Sequence, residues 1–186
     1  MLRRESRPSL SHEVGAVRTL AHMKVRLIVM RHAKSSWESD ASSDHARPLN
    51  DRGRRDAPRV GNKLLELGWA PDTLLSSDSR RTRETFDSMQ TMLPTLKHIE
   101  FSPALYHASI EPLREAIQLL PDDAKIVLAL GHNPGWEIAV HWLCGATVEM
   151  KTATAALLEC EAASWAESVA MRGGWNLVDV VRPKEL

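Results

Sequence analysis

The chain has 186 residues, 43% of them hydrophobic and 26% charged, which suits one globular domain with at most a short tail. Lys plus Arg and Asp plus Glu both total 24, so the formal charge at pH 7 is zero and argues against nucleic acid as a partner. Cys144 and Cys160 form no CxxC pair and no apolar run approaches the roughly 18 residues of a membrane span, so the expectation is a reducing compartment and no membrane insertion.

Residues 1–23 carry four Arg, two Glu and several Ser and His without a hydrophobic period, and read as a tail ahead of a domain over 24–186. The expected location is cytoplasmic. A basic, Ser-containing leader also fits an organelle import segment over 1–23, and an overlong start is the third reading.

From Lys24 short apolar runs alternate with helical segments. Arg26 to Met30 reads as a strand buried in a parallel sheet, because it is short, apolar and β-branched. A polar stretch, Ser35 to Asp51, follows. Ala57, Val60, Leu64 and Leu67 then recur at helical spacing before Gly68, with Pro58 in the first turn of a helix begun near Asp56, or kinking one begun earlier. Asp72 to Ser76 reads as a second strand, and Ser77 or Asp78 as the cap of a helix running to about Met89. A short extended piece around Ile99 to Phe101 precedes a helix over about Ile110 to Leu119. Lys125 to Leu130 is the clearest strand, and Pro134 sits where a first-turn proline belongs in a helix ending at Gly145. Ala155 to Cys160 and Trp175 to Val181 complete an α/β chain with a mostly parallel sheet.

Three predicted strand ends carry chemistry: Arg31-His32, Ser76 to Arg81, and Gly131-His132-Asn133. In open α/β sheets ligands bind outside the carboxyl ends of the strands, so these points are expected at one crevice. Two Arg and two His there form a set suited to an anion, since guanidinium forks match phosphate oxygens and imidazole supplies a nucleophile or a proton. Arg80, Arg81 and Arg83 crowd the first turns of a helix whose dipole favours negative charge, which a bound anion would relieve. A solvated basic face balanced by Glu84 and Asp87 accounts for the same cluster.

Leu27-Ile28-Val29-Met30-Arg31-His32-Ala33 resembles the Arg-His-Gly/Ala signature of the histidine phosphatase (phosphoglycerate mutase-like) superfamily. Ser76-Ser77-x-x-x-Arg81-Thr82-x-x-Thr85 resembles its second motif, and Gly131-His132-Asn133-Pro134-Gly135 its third. Within that superfamily, Arg31 to Trp37 followed by Asp44-x-x-Arg47-Pro48-Leu49 is similar to the small SixA-type phosphohistidine phosphatases.

The resemblance implies a three-layer sandwich with helices on both faces of the sheet. It implies His32 as a nucleophile that becomes transiently phosphorylated, with Arg31, Arg81 and His132 completing the phosphate pocket and Asn133 and Ser35 lining it. Arg47 either binds substrate or pins the long loop. Phe101 to His107, where many larger members carry an acidic proton donor, holds no carboxylate; this suits a phosphoramidate such as phosphohistidine, whose leaving imidazole needs little help. His132 and His107 are the remaining proton donors. No cofactor and no metal is expected. The partner is a phosphorylated protein, with a phosphomonoesterase of small metabolites as the alternative and a phosphate-binding module without turnover as a third reading. The six Trp read as core or rim packing, and the two Cys as buried hydrophobes.

Overall fold

The structure, a computed structural model, describes residues 22–186. The tail and import readings of residues 1–23 therefore fall, but for their last two residues, outside the described residues. In chain order the elements are β1 (Met23–Arg31), α1 (Asp51–Glu66), β2 (Thr73–Ser77), α2 (Arg80–Met89), β3 (His98–Ser102), α3 (Ile110–Gln118), β4 (Ile126–Gly131), α4 (Gly135–Cys144), β5 (Ala155–Ala162), α5 (Trp165–Ser168) and β6 (Asn176–Val181). No helix among the described residues is long and apolar enough to cross a membrane.

The six strands form one sheet in the order β3-β2-β4-β1-β5-β6, with β5 running against its neighbours and the other five parallel to one another. The parallel centre follows from composition, because β1 and β4 are apolar on both faces and must be covered twice. Successive side chains of β1 point to opposite faces. Val25, Leu27 and Val29 enter one core, packed by Leu113 and Ile117 of α3, by Trp136 and Val140 of α4, and by Trp165 of α5. Ile28 and Met30 enter the other, packed by Ala57, Val60 and Leu64 of α1 and Phe86 and Met89 of α2. These layers make the three-layer α/β sandwich that the motifs imply.

Two boundaries differ from the sequence reading, and at α1 the structure takes the earlier of the two starts left open. Helix α1 starts at Asp51, capped by Asn50, whose side chain accepts from the Gly53 amide, and it runs through Pro58. The cap of α2 is Ser79 instead of Ser77 or Asp78: the Ser77 hydroxyl is bonded to His132 and the Asp78 carboxylate to His45. Pro134 is the residue before α4, with Gly135 the first helical residue.

Parallel pairing sets the heights of the strand ends. Arg31 lies opposite Gly131 across β1 and β4, and the His32 amide donates to the Gly131 carbonyl at 3.0 Å. On the other side of β4, Ser76 lies opposite Leu130. The residues just beyond three adjacent strands thus emerge at one level on one edge of the sheet.

Candidate active site

A cavity of about 170 Å³ opens at that edge. Arg31, His32, Ser35, Arg47, Arg81, His132 and Asn133 all lie in its wall, so the structure brings together every site residue read from the motifs. Lys34, Trp37, Asp44, His107 and Thr152 complete the lining.

His32 is 7% exposed. Its Nδ1 lies 2.7 Å from the Ala33 carbonyl, which only accepts, so Nδ1 carries the proton. Nε2 therefore holds a lone pair, and Arg81 Nε donates to it at 3.3 Å. Burial foremost, then the cationic charge of Arg81 and Arg31, pushes the His32 pKa down to about 3, so the ring is neutral near pH 7. A buried, neutral imidazole with one nitrogen anchored and the other facing guanidinium is arranged to attack an electrophile held by that guanidinium.

His132, 2% exposed, faces His32 with ring centroids 5.1 Å apart. Arg81 Nη2 donates to its Nδ1 at 3.3 Å, so the ring proton sits on Nε2, which reaches the Ser77 hydroxyl at 2.9 Å. Burial first, and then repulsion from Arg81 and from His32 once that ring is protonated, lower its pKa as well.

Arg81 differs from its two helical neighbours. Arg80 pairs with Glu84 at 2.7 Å, and Arg83 donates to the Asp78 carbonyl and lies over the Phe101 ring, as the solvated-face reading expects. Arg81 alone of the three is buried, at 2% exposure, within the cavity. Arg31 donates to the Met150 carbonyl at 3.0 Å, and among the described residues its buried Nε has no hydrogen-bond partner. An unpaired buried donor is costly, and an anionic oxygen would satisfy it.

Asn133 and Arg47 have other commitments. The Asn133 amide donates to Glu137 at 2.8 Å and to the Met150 carbonyl at 2.9 Å, and Glu137 in turn accepts from the Met150 amide. This fixes the carbonyl that receives Arg31. Arg47 donates to the Ser36 carbonyl, Asp44 and the Ser35 hydroxyl at 2.7 to 2.9 Å, and so pins the loop between β1 and α1.

The sequence reading gave no role to Asp44, although the residue lies in the segment similar to SixA-type enzymes. Its carboxylate accepts from Tyr106 at 2.6 Å, Arg47 at 2.7 Å and Arg81 at 3.0 Å, with His107 Nε2 at 3.4 Å. The Tyr106 hydroxyl first, then the two guanidinium groups, holds this carboxyl well below the usual carboxylate range. A carboxylate does reach the cavity, from the loop after β1 instead of the stretch after β3, and it is ionised. His107 stands beside it at φ 52°, with its ring centroid 5.2 Å from that of His132. Trp37 departs from the packing reading: it is 75% exposed at the cavity mouth, with the Arg47 guanidinium 3.3 Å above its ring. Trp69, Trp136, Trp165 and Trp175 are buried. Among the described residues, no group of three or more His, Cys, Asp or Glu is placed to hold a metal ion.

Residues 27–110 match the sequence model of the histidine phosphatase superfamily (branch 1). An Arabidopsis thaliana protein described as uncharacterized and chloroplastic is 40% identical over 169 residues, covering 85% of this chain and 78% of that one. The putative phosphohistidine phosphatase SixA from Nakamurella multipartitia superposes with a TM-score of 0.76 at 25% identity, over 88% of this chain and 98% of that one. The putative SixA from Agrobacterium tumefaciens shares the fold, with a TM-score of 0.72 at 24% identity over 86% and 98%.

Proposed function

The chain belongs to the histidine phosphatase superfamily, and on that premise we propose that it hydrolyses phosphohistidine on proteins, with His32 as the nucleophile. The observation that carries the reading is the His32 ring, anchored through Nδ1 and directing its Nε2 lone pair at Arg81 inside a cationic cavity. The phosphoryl group would lie between Arg31 and Arg81, whose donors match its equatorial oxygens. His32 Nε2 attacks phosphorus, the bond to the leaving nitrogen breaks, and that nitrogen takes up a proton. Water then attacks the phosphorylated His32, releasing phosphate and restoring the free ring. Asn133 acts by positioning Arg31 through the Met150 carbonyl, and Ser35 and Arg47 by holding the loop that bears Asp44.

Two features support phosphohistidine over an alkyl phosphate. Asp44 is held ionised by Tyr106, Arg47 and Arg81, so it is no proton donor, and an alkoxide leaving group needs one. The Nε2 proton of His132 is directed to Ser77 and its Nδ1 receives Arg81, which leaves His107 at the open side as the group to protonate a leaving nitrogen. Among the described residues the β1–α1 loop and the short turn around Tyr106 border the cavity and no cap is inserted between the elements, which suits a protein surface.

The test is phosphate release from a phosphohistidine-bearing protein and from a panel of phosphomonoesters, with His32→Ala alongside. Fast release from phosphohistidine, slow release from alkyl esters and a loss of at least about 10³-fold in the variant are expected. Faster turnover of a small ester would assign the chain to metabolite phosphatases, binding without release to phosphate-reading modules, and activity surviving in the variant would overturn the mechanism. For residues 1–23 the chloroplastic relative favours the import reading over a cytoplasmic location; uptake by isolated chloroplasts with cleavage near Met23 tests it.

A further inference from the structure

Beside the phosphate cavity lies a second one, of about 260 Å³, with Thr152 in the wall of both. The ridge between them is the turn Lys151 to Thr154, closed by the Thr154 amide on the Lys151 carbonyl at 2.9 Å. At its centre the Ala153 amide donates to the carbonyls of Arg31 and His32, at 3.1 and 3.0 Å. Whatever occupies the second cavity therefore sits one fixed turn from the nucleophile.

Four cations, Arg52, Lys151, Arg182 and Lys184, face this cavity against two carboxylates, Glu149 and Glu185. Lys151 pairs with Glu149 at 3.2 Å, Arg182 with Glu185 at 3.5 Å, and Arg52 with Asp56 of its own helix at 3.2 Å. Among the described residues Lys184 has no such partner. The Lys151–Glu149 and Arg182–Glu185 pairs are solvent-exposed, so exchanging one partner for another carboxylate costs little there, whereas Arg52 is held by the buried Asp56. A second observation points independently to a ligand: Thr154 also lines the cavity, is fully buried, and among the described residues its Oγ1 has no hydrogen-bond partner. A buried hydroxyl without a partner is rare and calls for one.

We propose that this second cavity is a subsite for an acidic side chain of the substrate protein, a few residues from its phosphorylated histidine. The inference rests on the phosphatase reading above. Two carboxylates in the wall disfavour a doubly charged phosphate but leave room for a singly charged Asp or Glu, which Lys184 would pair and Thr154 would hydrogen-bond. An extended peptide, advancing about 3.3 Å per residue with side chains on alternating sides, can place a phosphohistidine in one cavity and a carboxylate across the Thr152 ridge in the other.

The experiment compares two phosphohistidine peptides, identical except for Glu or Gln at the flanking positions, with phosphoramidate as a substrate too small to reach the second cavity. The wild-type protein is expected to favour the Glu peptide roughly three- to tenfold in kcat/KM, through KM. Lys184→Glu removes that preference and leaves phosphoramidate turnover unchanged. Thr154→Val, tested beside it, weakens the preference without altering charge. Equal turnover of both peptides by the wild type overturns the proposal, as does a preference that survives Lys184→Glu. A preference for propane-1,3-diyl bisphosphate over propyl phosphate, with none among the peptides, overturns the assignment to a protein. If phosphoramidate and both peptides stay intact, the phosphatase reading fails by itself. Binding of the unphosphorylated peptides then decides: tighter binding of the Glu peptide, lost in Lys184→Glu, supports the subsite, and equal binding overturns it.

Discussion

A guanidinium has only donors, so Arg81, standing between His32 and His132, requires a lone pair from each ring. The proton of His32 is thereby confined to Nδ1 and that of His132 to Nε2, and burial keeps both rings neutral. That neutrality has a thermodynamic consequence. An unfolded chain protonates His32 near pH 6.5, the folded chain only near pH 3, so between those values the unfolded state binds more protons and stability falls as pH falls. From pH 7 to pH 5 the expected loss from His32 is about 2 kcal/mol. Urea unfolding at the two pH values should show this loss in the wild type and a loss smaller by that amount in His32→Gln; parallel behaviour of the two proteins would contradict a neutral, buried His32. Asp44 makes the opposite contribution to the site. Its carboxylate is a fixed negative charge on Arg81, the same guanidinium that a phosphoryl group must engage. Asp44→Asn should therefore bind inorganic phosphate roughly three- to tenfold more tightly, measured as competitive inhibition, and the gain should shrink as salt is raised. Weaker phosphate binding in the variant would show that Asp44 serves mainly to hold Tyr106 and the loop.

At the scale of elements, helix α4 determines where His107 stands. A Cβ on Gly135, the first residue of α4, would run into the carbonyl oxygen of Ala108, which is backbone and cannot swing aside. Gly135→Ala should push the Tyr106 to Ala108 turn away from the cavity, with a stability loss of roughly 1–3 kcal/mol and slower phosphohistidine turnover. Gly145, at the other end of α4, gives the contrast. It closes the helix at φ 76° with open space around it, so Gly145→Ala should cost roughly 1 kcal/mol through the backbone alone and leave turnover intact. Equal effects of the two variants on turnover would show that α4 acts only through stability. This geometry also marks where the sequence stops being legible. Leu27 to Met30 of β1 and Ile126 to Leu130 of β4 are continuous apolar runs, and the strand ends could be located with the histidines that follow them. The cap of α2 could not, because Ser77 and Asp78 look like caps until the fold draws their side chains to His132 and His45. Asp44 and Tyr106 lie in loops without periodicity, and nothing local indicates that they meet across 62 residues of chain. The SixA-like segment around Arg47 did contain a signal for Asp44, since a carboxylate three residues before a conspicuous Arg invites a pair, and that pair forms at 2.7 Å.

Across the whole molecule, the cavity is assembled from five separate stretches of chain: the loop after β1, the start of α2, the turn before α3, the end of β4 and the approach to β5. They meet only when the sheet has its full strand order, with one core on each face. The unfolded chain therefore has no site for a phosphoryl group, and an anion that fills the cavity must stabilise the fold by mass action. Inorganic phosphate at 100 times its Kd should add about 2.7 kcal/mol. For a domain of this size that corresponds to a rise in Tm of roughly 5–10 °C. Arg81→Ala removes the central donor and should abolish most of the rise. Lys184→Glu, at the second cavity, should keep nearly all of it, since that wall is expected to take a carboxylate from a larger ligand and not free phosphate. An undiminished rise in Arg81→Ala would place the stabilising anion outside the histidine cavity, and with it the phosphoryl site. A rise lost in Lys184→Glu would instead mean that the two cavities on either side of Thr152 act as a single anion site.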